Sequence, residues 1–191
     1  MKTKYFKGVV KLLSSIEVSN QKQSSISFDL AMQKIIMLVK GQSRRGNKLI
    51  FIGNGGSASI ASHMVTDFLK NAGIPAVAFN DISLITCISN DLGYEQVFTK
   101  PISLLARKGD ILFAISSSGK SRNILNAVMM AKRKGCSIVT LSGFSKDNPL
   151  REMGEINFYT PSDSYGDVEI AHLSICHALV DAVIPRQKTL G

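Results

Sequence analysis

Phe51-Ile52-Gly53-Asn54-Gly55-Gly56-Ser57-Ala58-Ser59-Ile60-Ala61-Ser62-His63 is an apolar run that breaks into glycines and serines and then resumes with helical spacing. Lys48 to Ile52 reads as a buried strand, and the glycines behind it let backbone N–H groups approach an anion at the start of the next helix. The same break recurs where Ile111-Leu112-Phe113-Ala114-Ile115 runs into Ser116-Ser117-Ser118-Gly119-Lys120-Ser121 and a second helical segment. Two loops at the ends of parallel strands share one crevice, so a ligand is expected where they meet.

Outward from these breaks, short apolar strands alternate with amphipathic helices. Strands are expected at 48–52, 75–79, 110–115, 137–141 and 156–159, and helices near 57–71, 121–134 and 167–184. That order predicts an α/β fold, a five-stranded parallel sheet covered by helices on both faces. Residues 1–46 read as helical, with a Ser/Gln-rich break from Ser19 to Ser25 and an apolar face of Phe28, Leu30, Ile35, Ile36 and Val39. At 191 residues, 45% hydrophobic and 19% charged, the chain makes one well-buried domain. The last helix, Val168 through Ile184, is apolar nearly all round, interrupted by Glu169, His172, Ser174, His177 and Asp181. A helix without a solvent face needs cover, and with the N-terminal helices it points to a homo-oligomer with a helical interface.

Composition removes several function classes. Cys87, Cys136 and Cys176 lie far apart in apolar surroundings, a pattern of neither a disulfide framework nor a zinc knuckle, which points to the reducing cytoplasm. The N-terminus lacks the apolar core of a signal peptide, and no uncharged apolar run of about 18 residues occurs, so a soluble chain with no membrane partner is expected. The net charge of +9 is spread over Arg44, Arg45, Lys48, Arg107, Lys108, Lys120, Arg122 and Lys132 to Lys134, in no single run, and there is no Trp. This is a field for phosphorylated metabolites rather than a nucleic-acid surface.

Two nucleotide readings compete for the loops. Gly53-Asn54-Gly55-Gly56-Ser57-Ala58 fits the loose dinucleotide pattern, with Asp81 as a possible ribose partner. Ala114 to Ser121 comes within one residue of a Walker A loop, but Ala114 replaces its first glycine and the strand runs on through Ile115. Both signals are weak. Ser116, Ser117, Ser118 and Ser121 offer hydroxyl donors beside the N–H groups of a helix N-terminus, a way to hold a phosphate dianion without arginine. An N-cap alone needs one serine, and four in six residues exceed it.

His63 and Asp67 are four positions apart, which puts them side by side on the first helix after the glycine loop, at the border of its buried face. The spacing by itself fits a surface ion pair as well as a catalytic or metal pair. Asn90-Asp91-Leu92-Gly93 is readable as a plain turn. Glu169 and His177 lie about 12 Å apart along an unbroken helix, so both reach one metal only if the helix starts after Glu169 or different subunits contribute. Glu169 with His172 at i, i+3 makes His172 a rival ligand, against the alternative of a core histidine.

Taken together, Gly53-Asn54-Gly55-Gly56-Ser57, His63 with an acid four residues on, Ser89-Asn90-Asp91, Ile115 to Ser121, and Glu169 with His177 resemble the sugar isomerase (SIS) domain family, most closely its phosphoheptose isomerase branch. The resemblance spans nearly the whole chain. It implies a flavodoxin-like single SIS domain, with residues 1–46 as oligomerisation helices and 47–191 as the sugar-phosphate-binding part of the same domain. It implies a cytoplasmic homotetramer that converts D-sedoheptulose 7-phosphate to D-glycero-D-manno-heptose 7-phosphate for bacterial heptose, lipopolysaccharide or surface polysaccharide synthesis. On the matching positions, the sugar phosphate is held by Asn54, Gly55, Gly56, Asp67, Asn90, Asp91, Ser116, Ser117, Ser118, Ser121 and Glu169. A divalent metal, zinc first, is held by His63, Asp67, Glu169 and His177.

The chemistry expected is proton transfer through an enediolate, with Asp67 as base, His177 as acid and Asp91 and Asp167 as supporting polar groups. Histidine as a residue type suits proton transfer near neutral pH. This chain departs from the branch in three places: Asp67 stands where Glu is found, Glu169 where Gln is found, and Asn71-Ala72-Gly73-Ile74-Pro75 is a shorter connection. A base one methylene shorter sits back by roughly 1 Å, enough to cost about 10²-fold unless the helix also shifts. Glu169 adds negative charge and favours harder metals than zinc. The rivals are a non-catalytic SIS protein that senses a sugar phosphate or binds a protein partner, and an isomerase of another sugar phosphate.

Overall fold

The computed structural model describes residues 2–184. In chain order the elements are α1 (Lys2–Ser14), β1 (Glu17–Asn20), α2 (Phe28–Arg44), β2 (Leu49–Gly53), α3 (Gly56–Asp67), β3 (Ala76–Ala78), α4 (Ile82–Leu92), α5 (Thr99–Leu105), β4 (Ile111–Ser116), α6 (Arg122–Arg133), β5 (Ser137–Ser142), β6 (Ile156–Tyr159) and α7 (Tyr165–Val183). Every residue of β2 and β4 is buried, as expected of apolar runs with no polar alternation. Such strands must be covered twice, and successive side chains divide between two cores. Leu49, Phe51, Ile111, Phe113 and Ile115 face one side with residues of α2, α3 and α7. Ile50, Ile52, Leu112 and Ala114 face the other, with Ile88, Ile102, Ile124 and Val128.

The sheet runs β1-β6-β5-β4-β2-β3, with every pair parallel except β1 with β6. The five expected parallel strands are present, and among themselves they take the flavodoxin-like order 2-1-3-4-5. The sixth strand corrects the helical reading of residues 1–46. Val18 is buried against Phe158 across the ladder, but one apolar residue in Glu17-Val18-Ser19-Asn20 is too short a pattern to announce a strand.

Two helices between β3 and β4 were also missed. α4 has a signal in Asp81, whose carboxylate accepts from the Leu84 N–H as an N-cap, and in Gly93 at the other end with φ +93°. α3 continues past Asp67 as a single π turn, Phe68–Ala72. Phe68 is buried there and stacks on Phe51, with ring centroids 5.6 Å apart. α7 begins at Tyr165, so both Glu169 and His177 lie on one continuous helix, which removes a start after Glu169. Its buried Ile175, Cys176, Leu179, Val180 and Val183 belong to the core shared with α2 and α3. α7 thus finds its cover within its own chain, while Tyr5, Phe6 and Val10 on α1 are exposed.

Candidate active site

β2 and β4 are neighbours at the point where the strand order reverses, so the loops leaving their carboxyl ends open side by side. Between them is a cavity of about 260 Å³. Asn54, Gly55, Gly56 and Ser57 form one wall, and Ser116, Ser117, Ser118 and Ser121 the other. Tyr165 and Glu169, from the first turns of α7, close a third side.

Ser121 is the N-cap residue of α6, yet its hydroxyl makes no capping hydrogen bond and lies 3.5 Å from Ser116 Oγ. Ser116 Oγ accepts from Gly119 N at 3.2 Å and Ser118 Oγ from Lys120 N at 3.2 Å, which folds the loop back on itself. Gly119, at φ +62°, has room for no side chain, because a Cβ there would run into the buried Asn148. The loop therefore presents hydroxyls and the first N–H groups of α6 to the same space, an arrangement suited to a phosphate dianion. At Gly56 a Cβ would meet the Glu169 carboxylate, which lies over the N-terminus of α3 where the helix dipole favours negative charge.

A second cluster stands on α3 and α7. Asp67 Oδ2 is 3.5 Å from His63 Nε2 and 3.7 Å from His177 Nδ1, and Asn71 Nδ2 donates to Asp67 Oδ1 at 3.2 Å. The Asp67 side chain is 15% exposed, against 50% for His63 and 39% for His177. The donor atoms of His63, Asp67 and His177 all lie within 4.8 Å of one another. Ligands about 2.0–2.1 Å from a tetrahedral ion stand about 3.4 Å apart, so two imidazoles and a carboxylate at these separations fit a divalent cation.

The SIS domain profile matches residues 4–143. Phosphoheptose isomerase of Glaesserella parasuis serovar 5 (strain SH0165) is 35% identical over 156 residues, 78% of this chain and 80% of its own. The enzyme of the same name from Proteus mirabilis (strain HI4320) is 34% identical over 160 residues, 80% of this chain and 82% of its own. The chain belongs to the phosphoheptose isomerase family of SIS domain proteins. The solved structure of a phosphoheptose isomerase from Francisella tularensis superposes with a TM-score of 0.81 at 28% identity, covering 95% of each chain.

Against this family's pattern, the residues expected at the site divide. Asn54, Gly55, Gly56, the four serines and Glu169 line the cavity, and His63, Asp67 and His177 form the cluster. Glu169 lies outside the three-residue group, so a single chain does not bring it in as a fourth ligand. Asn90 and Asp91 end α4, where Asn90 Nδ2 donates to Asp91 Oδ1 at 2.8 Å, and neither lines the cavity. Asp167 accepts from Ser162 Oγ at 3.0 Å and borders a different hollow beside Lys4 and Tyr5, away from the serines.

His172 is a core histidine. It is fully buried, its Nε2 donates to Ser142 O at 3.2 Å, and burial pushes its pKa down to about 4. Asp81, the ribose partner of the dinucleotide reading, is occupied as the cap of α4. Four residues went unassigned. Ser57 lies inside the quoted glycine motif and was legible there, whereas Tyr165 carries no local signal. Tyr94 and Asn123 reach the site only through Asn54.

Proposed function

We propose that this chain isomerises D-sedoheptulose 7-phosphate to D-glycero-D-manno-heptose 7-phosphate, a supply of heptose for bacterial surface polysaccharide. The observation that carries the reading is the Asp67 carboxylate set between two imidazoles, 3.5 and 3.7 Å away, in a member of the phosphoheptose isomerase family. A protein that only senses sugar phosphate needs the two loops but no such acid/base set.

In the proposed reaction the serine loop holds the phosphate, with Ser116, Ser117, Ser118 and Ser121 donating, and Asn54, Gly55, Gly56 and Glu169 orient the sugar. Asp67 takes a proton from C1, next to the C2 carbonyl, and the electron pair forms the C1–C2 double bond of an enediolate. His177 supplies a proton to O2 and recovers one from O1, and Asp67 returns its proton to C2, which leaves the aldehyde at C1. His63, Asp67 and His177 would hold a divalent cation, zinc by their donor set, which would supply Lewis-acid stabilisation to the enediolate oxygen.

The assembly proposed is a homotetramer in which residues 1–46 carry the contacts, supported by the exposed Tyr5, Phe6 and Val10 of α1. Three free cysteines, one exposed and two buried, support a cytoplasmic setting. Among the described residues no helix is long and apolar enough to cross a membrane.

Incubation of the purified protein with a panel of ketose phosphates, following aldose formation, tests the reading. Turnover of sedoheptulose 7-phosphate is expected. Turnover of another ketose phosphate alone would move the substrate, and tight binding without turnover of any of them would make the chain a sensor.

A further inference from the structure

We propose that Tyr94 and Asn123 lock the side-chain amide of Asn54 into a single orientation, so that Asn54 serves the sugar only as a hydrogen-bond donor. This rests on the reading of Asn54 as a sugar-binding residue. Three separate elements meet here: Asn54 follows β2, Asn123 lies in the first turn of α6, and Tyr94 follows α4.

The orientation follows by deduction. Ile124 N, a donor that cannot be reversed, is shared between Ser121 O and the side-chain oxygen of Asn123, each at 3.0 Å, and a second donor in that place would face it head-on, which fixes Asn123 Oδ1 on that side. Asn123 is buried at 3% exposure, and its amide pairs reciprocally with that of Asn54. Asn54 Nδ2 must therefore face Asn123 Oδ1, at 3.0 Å, and Asn54 Oδ1 must face Asn123 Nδ2, at 2.8 Å. The Tyr94 hydroxyl then donates to the same Asn54 Oδ1 at 3.0 Å.

An amide oxygen has two lone pairs, and both are now taken. Of the four hydrogen-bonding positions on the Asn54 side chain, one Nδ2 hydrogen is left. Asn54 borders the serine cavity, so what it offers there is one donor, matched to a carbonyl or hydroxyl oxygen. A hydroxyl that must itself donate finds no acceptor at this residue. Tyr94 does not line the serine cavity but a neighbouring one, together with Glu95 and Arg122. Its hydroxyl thus reaches Asn54 from behind, as a positioning residue.

Two measurements decide the proposal. In a ¹H–¹⁵N spectrum, the Asn54 side-chain protons, assigned by their loss in Asn54→Asp, should be well separated and should move in Tyr94→Phe; an unmoved pair overturns the proposal. In a double-mutant cycle on sedoheptulose 7-phosphate, Tyr94→Phe should lower kcat/KM by about three- to tenfold. The same change should have no further effect in an Asn54→Ala background, since Tyr94 acts through Asn54. Binding of inorganic phosphate should be unaltered by Tyr94→Phe. Additive losses in the cycle, or weakened phosphate binding, overturn the proposal by giving Tyr94 a direct or general structural role. Absence of turnover in the unaltered protein would refute the isomerase reading instead, and the spectrum would still decide the orientation of Asn54.

Discussion

Asp67 is reached from three directions, by His63 one helical turn back, by Asn71 in the π turn, and by His177 on α7. Asp67→Asn keeps the volume and one oxygen but removes basicity. Turnover should fall by about 10² or more while sugar-phosphate binding persists, and full turnover in this variant would end the proposed mechanism. Asp67→Glu installs the residue that the resemblance to the phosphoheptose isomerase branch leads one to expect at this position. It should raise activity if the shorter acid has weakened the enzyme, and lower it if the helix has adjusted to aspartate, which steady-state kinetics on the two proteins will distinguish. His63 and Asp67 were legible as neighbours because a helix sets i and i+4 side by side. That His177 joins them was not, because nothing in local spacing relates α7 to α3.

His172 belongs to the same scale. Its pKa falls from 6.5 to about 4 in the folded state because burial penalises the imidazolium. Between those values the unfolded chain binds the extra proton and the folded chain does not. The stability this residue contributes is complete above about pH 6.5 and drains away toward pH 4, an effect on the order of 3 kcal/mol. Urea unfolding at pH 7.5 and 4.5 should show the loss, and His172→Gln, which keeps a donor for Ser142 O, should flatten it. An equal pH dependence in the variant would sink the assignment.

At the scale of elements, the two loops were the most legible part of the chain. A buried strand that stops at glycines or serines and restarts as a helix leaves few other conformations. The serine loop yields the prediction of this scale: Ser118→Ala with Ser121→Ala should weaken sugar-phosphate binding and leave the fold intact. Each lost bond to a charged phosphate is worth about 1.5 to 3 kcal/mol, so calorimetry should register a loss of at least tenfold. Unchanged affinity would take the serines out of the site.

The elements that escaped sequence reading are those whose pattern is short or shared. β1 shows one buried apolar residue, and the π turn Phe68–Ala72 looks like more α-helix because side-chain spacing barely differs over five residues. α4 carried a readable cap at Asp81, but Asn90 to Gly93 at its other end also fits a turn. Asp167 and Glu169 were harder still. On one helix two residues apart, they point into different hollows, and which hollow holds the chemistry depends on the whole chain.

Over the whole molecule, the apolar side chains left uncovered include three on successive turns of α1, where Tyr5, Phe6 and Val10 are 56, 63 and 64% exposed. Light scattering at micromolar concentration should give a tetramer, and Phe6→Glu with Val10→Glu should lower the mass. A monomeric unaltered chain would contradict the proposed assembly. The antiparallel pairing of Val18 with Phe158 has a kinetic consequence of its own. This ladder joins the front of the chain to its back, so closing it costs more chain entropy than any pairing between consecutive strands. The sheet should therefore breathe from this edge. The amide protons of β1 should exchange with solvent well before those of Phe51 or Phe113, leaving the glycine and serine loops in place while the outermost strand comes and goes.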